Sequence, residues 1–219
     1  MHSKFLAIEG IDGSGKSSVV LKLVEYLNKN HCPTLHTYEP YGSFITSTIY
    51  DVLYDRISQP DPRVMATLFA AARMHHIDRV IRPALSQGLN VVCDRYIFST
   101  FAYNTSPETP REYVENMHVE FYLPPDHIFY LHCDADTALE RVKSRKGKKS
   151  IFDSNISKLK DVYNEYQALL YGRETVEVCG QTSQVHTIDA SKYINHTMKQ
   201  IINIIDTYIV NRQSIFSLL

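Results

Sequence analysis

Gly10-Ile11-Asp12-Gly13-Ser14-Gly15-Lys16-Ser17 follows directly on the apolar run Phe5-Leu6-Ala7-Ile8-Glu9, and a helical pattern begins at Lys16. The spacing is GxxxxGK[ST] between a strand and a helix, the context that a phosphate-binding loop requires. Each residue type has a reason. Glycines let the backbone curl until successive N–H groups point inward, and the N-terminus of the following helix adds partial positive charge. Lys16 brings a mobile cation to the β- and γ-phosphates, and the Ser17 hydroxyl is a hard oxygen ligand for Mg²⁺. The stretch therefore predicts a site for a nucleoside triphosphate and Mg²⁺ built on Gly10, Asp12, Gly13, Ser14, Gly15, Lys16, Ser17 and Ser18.

Outward from this loop, short apolar runs alternate with longer segments of helical period. Strands are expected at Phe5–Glu9, Thr34–Tyr38, Asn90–Asp94, His127–Cys133 and Val185–Asp189. Between them Val20, Leu23, Val24 and Leu27 share one helical face, Arg63–Gln87 reads as one or two helices interrupted at Pro83, and Met198 to Ile209 forms another amphipathic helix. This alternation predicts the α/β fold of P-loop nucleotide enzymes, a five-stranded parallel sheet with helices on both faces. Gly172–Ser183 is open between a helix end, a hairpin and an irregular connection.

The 219 residues suit one α/β domain, so residues 1–219 are expected to form a single domain. Lys plus Arg number 23 against 24 Asp plus Glu, so the whole molecule lacks the positive field that would point to nucleic acid or an anionic membrane, and phosphate binding has to be local. Cys32, Cys93, Cys133 and Cys179 form no CxxC pair and read as reduced thiols. No signal peptide or membrane-spanning run is evident, which predicts a soluble intracellular protein.

A P-loop alone does not say where the phosphate goes. No guanine-reading NKxD follows, so a switch GTPase is disfavoured. The third expected strand ends Val91-Val92-Cys93-Asp94-Arg95-Tyr96, placing a carboxylate and a guanidinium at a strand's carboxyl end, where open parallel sheets bind ligands. There Arg95 can grip an acceptor phosphate while Asp94 lies near the metal and its water shell. Phe69 and Arg73 are four apart on a helix, so a ring and a guanidinium share one face, a stacking surface beside a donor for a keto oxygen.

The run Asp94-Arg95-Tyr96-Ile97-Phe98-Ser99-Thr100-Phe101-Ala102-Tyr103 resembles the DRY or DRH segment of thymidylate kinases. Leu68-Phe69-Ala70-Ala71-Ala72-Arg73 resembles that family's F-x-A-x-R helix, and the loop resembles its GxDGxGKS form. The likeness runs from Lys4 to about Ile188 and includes Glu39-Pro40 and the strand Tyr130 to Asp134. It implies transfer of the ATP γ-phosphoryl group to thymidine monophosphate (dTMP) in a homodimer. By the same resemblance Lys16, Asp94 and Arg95 are catalytic, Ser17 and Asp94 serve the metal, and Asp12 approaches the sugar 3′-hydroxyl. Glu39, Pro40, Phe69, Arg73, Arg95, Ser99 and Tyr103 then surround dTMP. An Arg donor facing thymine O4 would oppose the amine of cytosine, a polar mismatch worth on the order of 10⁴-fold, against about 10- to 200-fold for one methyl group.

The chain departs from the family pattern at two places. Many members carry R-E-P-G-G-T after the second strand, where this sequence reads Tyr38-Glu39-Pro40-Tyr41-Gly42-Ser43, and Gly13 stands where one branch has a P-loop arginine. The charge is then expected from the basic segment Arg141 to Lys149, a lid over about 143–153, with Arg145 as first choice and Lys148 or Lys149 as alternatives. Val64, Leu68, Ile77 and Ile81 are expected to supply a dimer face. His75 and His76, adjacent on a helix, point apart and read as solvated or interface residues rather than a metal pair. The competing readings are a deoxynucleoside kinase of the same fold and a nucleotide-binding switch without catalysis.

Overall fold

A computed structural model of the chain describes residues 3–54, 56–144 and 156–210. Strand β1 (Phe5–Glu9) leads through the glycine-rich loop into helix α1 (Lys16–Lys29). Then follow β2 (Thr34–Tyr38), α2 (Phe44–Leu53), α3 (Pro62–His76), α4 (Arg82–Ser86), β3 (Asn90–Asp94), α5 (Ile97–Asn104) and α6 (Arg111–Asn116). The chain continues through β4 (His127–His132), α7 (Ala135–Ser144), α8 (Ile156–Leu170), β5 (Thr175–Val178), β6 (Gln181–Asp189) and α9 (Ile194–Ile205).

The sheet order is β2-β3-β1-β4-β6-β5. The first five strands are parallel, and β5 pairs with β6 antiparallel. The five expected parallel strands are therefore all present, and the expectation of five is corrected to six. All residues of β1 and β3 are buried. Because successive side chains of a strand point to opposite faces, burial along the whole length means that both faces are covered. The sixth strand comes from the stretch that could not be read. Cys179 and Gly180 have φ of 51° and 70°, the pair of positive angles that a two-residue hairpin turn matched to the sheet twist demands. Cys-Gly in place of Asn-Gly or Asp-Gly hides that turn from a sequence reading.

Pro83 behaves as its chemistry dictates. It has no N–H to donate, and its ring would clash with the carbonyl four residues back. The chain responds with a wider π-helical turn over Ile77–Ile81 between α3 and α4. Ile77 and Ile81 are buried in the main core, at 1% and 0% exposure, which corrects their assignment to a dimer face; Val64 is 48% exposed. A second apolar cluster, Ile49, Val52, Met65 and Ala72, joins α2 to α3, with Leu68 and Phe69 packed against it. The four cysteines are free thiols, three of them buried. No described helix is long and apolar enough to cross a membrane.

The candidate active site

The P-loop owes its path to two close approaches. A Cβ on Gly10, at φ 145°, would lie 2.8 Å from the Leu131 carbonyl oxygen; one on Gly13, at φ 85°, would lie 2.2 Å from that of Ala138. Only glycine fits at Gly13, because α7 presses its backbone against the loop, and this is the physical reason an arginine is absent there. Lys16 is buried and folds back to donate to the Ile11 carbonyl at 2.8 Å. Burial, and then the neighbouring Arg95 charge, lower its ammonium to about 8, partly offset by Asp12, Asp94 and Glu9.

Asp94 and Arg95, adjacent in sequence, do not pair with each other. Asp94 accepts from the Ser17 hydroxyl at 2.6 Å, while Arg95 pairs with Asp12 and donates to Ser99 Oγ at 3.2 Å. Arg95 has φ of 70°, a left-handed conformation that a residue other than glycine rarely adopts unless its surroundings enforce it. Its guanidinium lies 5.2 Å from the centre of the Tyr103 ring, and the Tyr103 hydroxyl donates to Asp12 at 2.9 Å. Ser17 and Asp94 together offer hard oxygen donors. A magnesium site normally takes one or two carboxylates and fills the rest with phosphate and water, so this donor set fits the ion.

Glu9 organises the strand–helix turn. It is fully buried and accepts from the backbone N–H of Tyr96 and Ser99 at 2.8 and 3.2 Å, from Ser99 Oγ at 2.8 Å, and from the Tyr166 hydroxyl at 2.8 Å. Tyr96 caps α5 without a side-chain bond, so the Glu9 carboxylate takes over the free N–H groups of that helix end. Burial pushes its carboxyl up, against the lowering effect of Ser99, Tyr166 and Arg95.

Arg73 is 2% exposed and nearly saturated. Its Nε donates to Glu39 Oε2 at 2.8 Å, Nη2 lies 2.6 Å from the same oxygen and donates to Thr100 Oγ1 at 2.9 Å, and Nη1 lies 2.9 Å from His118 Nε2. Burial acts to raise the Glu39 carboxyl, but Arg73 and His76 outweigh it and hold it below its usual range. His76, expected in solvent or at an interface, is 0% exposed: it contacts Glu39 Oε1 at 3.2 Å and Thr37 Oγ1 at 2.6 Å. Its ring stacks on Tyr41 at 4.8 Å. The helix buries this imidazole because the adjacent Glu39 offers it an acceptor. His75 is half-buried with its ring edge to Phe44.

These residues line two adjoining cavities. One, of about 520 Å³, is walled by Gly13, Gly15, Lys16, Ser17, Ser18, Tyr38 and Asp94. The other, of about 620 Å³, is walled by Pro40, Phe69, Arg73, Ser99, Thr100 and Tyr103, with Lys158, Asp161 and Glu165 of α8. Asp12, Glu39 and Arg95 line both. The sequence-derived residues thus separate into a phosphate-loop group and a second group around Phe69 and Arg73, joined at Asp12, Glu39 and Arg95. Gly10 and Ser14 shape the loop from behind, where Ser14 Oγ is buried without a hydrogen-bond partner among the described residues. Arg145, Lys148 and Lys149 lie outside the described residues. Glu9, Thr100, His118 and Tyr166 were missed by sequence reasoning. Only Glu9, a carboxylate ending an apolar strand beside the loop, carried a signal that could have marked it.

The sequence matches the model of a family described as Thymidylate kinase over residues 8–201. It is 32% identical over 210 residues to the thymidylate kinase of Brachyspira hyodysenteriae, covering 94% of each chain. It is 30% identical over 214 residues to that of Symbiobacterium thermophilum, covering 96% of each, and 31% identical to that of Finegoldia magna, covering 84% of this chain and 93% of the relative.

Proposed function

The chain belongs to the thymidylate kinase family, and from that premise we propose how its residues carry the reaction. The enzyme transfers the γ-phosphoryl group of ATP to dTMP, giving dTDP and ADP. The observation that carries the assignment of roles is the sharing of Arg95 between the two cavities. A guanidinium at their junction can bind the acceptor phosphate while staying within reach of the phosphoryl group in transit.

In this reading the donor's phosphates lie in the loop, where Lys16 exchanges the Ile11 carbonyl for the β- and γ-phosphates. Ser17 and Asp94 would hold Mg²⁺, which would supply neutralisation of the phosphate charge. Arg95 turns from Asp12 to the monophosphate, and the Asp12 carboxylate takes up the sugar hydroxyl next to Tyr103. Phe69 and Pro40 flank the base, and Arg73 donates to its edge. Gly13 and Tyr38 leave the transferring group short of one cation, and we assign that role to the lid over 143–153, with Arg145 as first choice. Catalysis is then positioning and charge neutralisation without a covalent intermediate. The homodimer, the single-domain organisation and an intracellular site of action, where ATP is abundant, belong to the same proposal.

A deoxynucleoside kinase accepts a neutral 5′-hydroxyl and would leave Arg95 without a phosphate to bind; a non-catalytic switch would bind ATP without turnover. A coupled assay with Mg-ATP and a panel of pyrimidine nucleosides and monophosphates separates them. ADP release is expected with dTMP, less with dUMP and least with dCMP. Phosphorylation of thymidine in preference to dTMP, or ATP binding with no turnover, refutes the proposal.

A further inference from the structure

We infer that His118 is a positioning residue for base recognition: its unprotonated Nε2 fixes the Arg73 guanidinium so that one N–H remains to meet the base. The inference rests on the proposed role of Arg73 as the group that reads the base edge.

The tautomer follows from the partners. His118 Nδ1 lies 2.7 Å from the Val114 carbonyl oxygen, which can only accept, so Nδ1 carries a proton. His118 Nε2 lies 2.9 Å from Arg73 Nη1, which can only donate, so Nε2 carries none. The ring is 0% exposed, with no solvent to offer a third arrangement. Burial, and next the Arg73 charge, press its pKa down to about 4, consistent with a neutral imidazole at working pH.

A guanidinium has five N–H groups. In Arg73 the Nε proton and the Nη2 protons face Glu39 and Thr100, and one Nη1 proton faces His118. One Nη1 proton is left without a partner among the described residues, and Arg73 lines the acceptor cavity. A single fixed donor suits a keto oxygen and opposes an exocyclic amine. Glu39 and Thr100 define the plane from one side, and the 5.2 Å approach to the Tyr96 ring supports it. His118 supplies the acceptor at Nη1. Without it both Nη1 protons are unpaired, the Nη1 side of the guanidinium loses its one fixed partner among the described residues, and the distinction between keto and amine weakens.

The test uses the whole enzyme with dTMP and dCMP as probes. His118→Phe keeps a planar ring and removes the acceptor, while His118→Gln keeps an acceptor oxygen. His118→Phe is expected to raise the KM for dTMP and lower its kcat/KM by about 10- to 100-fold, the cost of misplacing a positioning group. The dTMP-over-dCMP preference should fall at least about tenfold, with the KM for ATP unchanged and most of the loss restored in His118→Gln. Arg73→Ala is measured in parallel. Preference lost in Arg73→Ala but kept in His118→Phe overturns this inference alone. Preference kept in both overturns the base-reading role of Arg73 and this inference with it. Nitrogen NMR of the unmodified protein gives a reading that does not depend on a variant folding: His118 should show a protonated Nδ1 and a bare Nε2 at neutral pH, and the opposite tautomer refutes the inference.

Discussion

The Tyr166 hydroxyl on α8 donates to the buried Glu9 carboxylate at the end of β1, at 2.8 Å. One bond thereby ties α8 to the strand that feeds the phosphate loop. Ser99 Oγ meets both groups at 2.8 Å and accepts from Arg95. The turn that aims Arg95 and helix α8 share one buried acceptor.

Removing that hydroxyl in Tyr166→Phe leaves the ring, stacked on Tyr130 at 5.7 Å, in place and deprives a buried carboxyl of one donor. The expected loss of stability is about 1–3 kcal/mol, read from the urea midpoint at constant m-value. An unchanged midpoint would show that Glu9 does not depend on this bond.

Gly13→Arg restores the residue that one branch of the family carries in the loop, and it should not restore a cation to this active site. The new Cβ would meet the Ala138 carbonyl oxygen at 2.2 Å, at a φ that side chains rarely adopt. Turnover is expected to fall by at least about 100-fold because the loop or α7 must shift, an ångström-scale misplacement. Turnover at or above the starting enzyme would count against the steric argument.

Arg145→Ala tests the lid. If this residue supplies the cation for phosphoryl transfer, kcat should drop by about 10³-fold or more with little change in the KM for ATP. Unchanged turnover assigns the role to another group, and the same measurement on Lys148→Ala and Lys149→Ala identifies it.

Acid should loosen the base site through His118. Its folded pKa, about 4, lies below the ordinary 6.5, so the neutral ring contributes stability that is fully present above pH about 6.5 and is lost as pH falls toward 4. The full loss amounts to about 3 kcal/mol. Arg73 from α3 faces the ring and opposes its protonation, while Glu39 at the end of β2 acts weakly the other way. Unfolding free energy measured from pH 7 to pH 4 should therefore fall more steeply in the unmodified protein than in His118→Gln. Parallel curves would refute the assignment.

Local periodicity and spacing determined much of this molecule. The five parallel strands, the helix after the loop, and the placement of Lys16, Ser17, Asp94 and Arg95 beyond the carboxyl ends of adjacent strands follow from runs of apolar residues and from where a strand must end. Phe69 and Arg73 were legible because four residues of helix put them on one face.

What the tertiary structure alone decided is who partners whom. Asp94 and Arg95 are neighbours in sequence, yet one turns to Ser17 and the other to Asp12. His76 became a buried hydrogen-bonding group because Glu39, 37 positions away, lies against it. Arg73 gained His118 from 45 positions away. A periodic pattern reports which side of an element is covered, and no more. The acceptor that a buried donor finds depends on chain segments far apart in sequence, and burying a charge without that acceptor costs several kcal/mol, so packing selects the pairs that spacing cannot name.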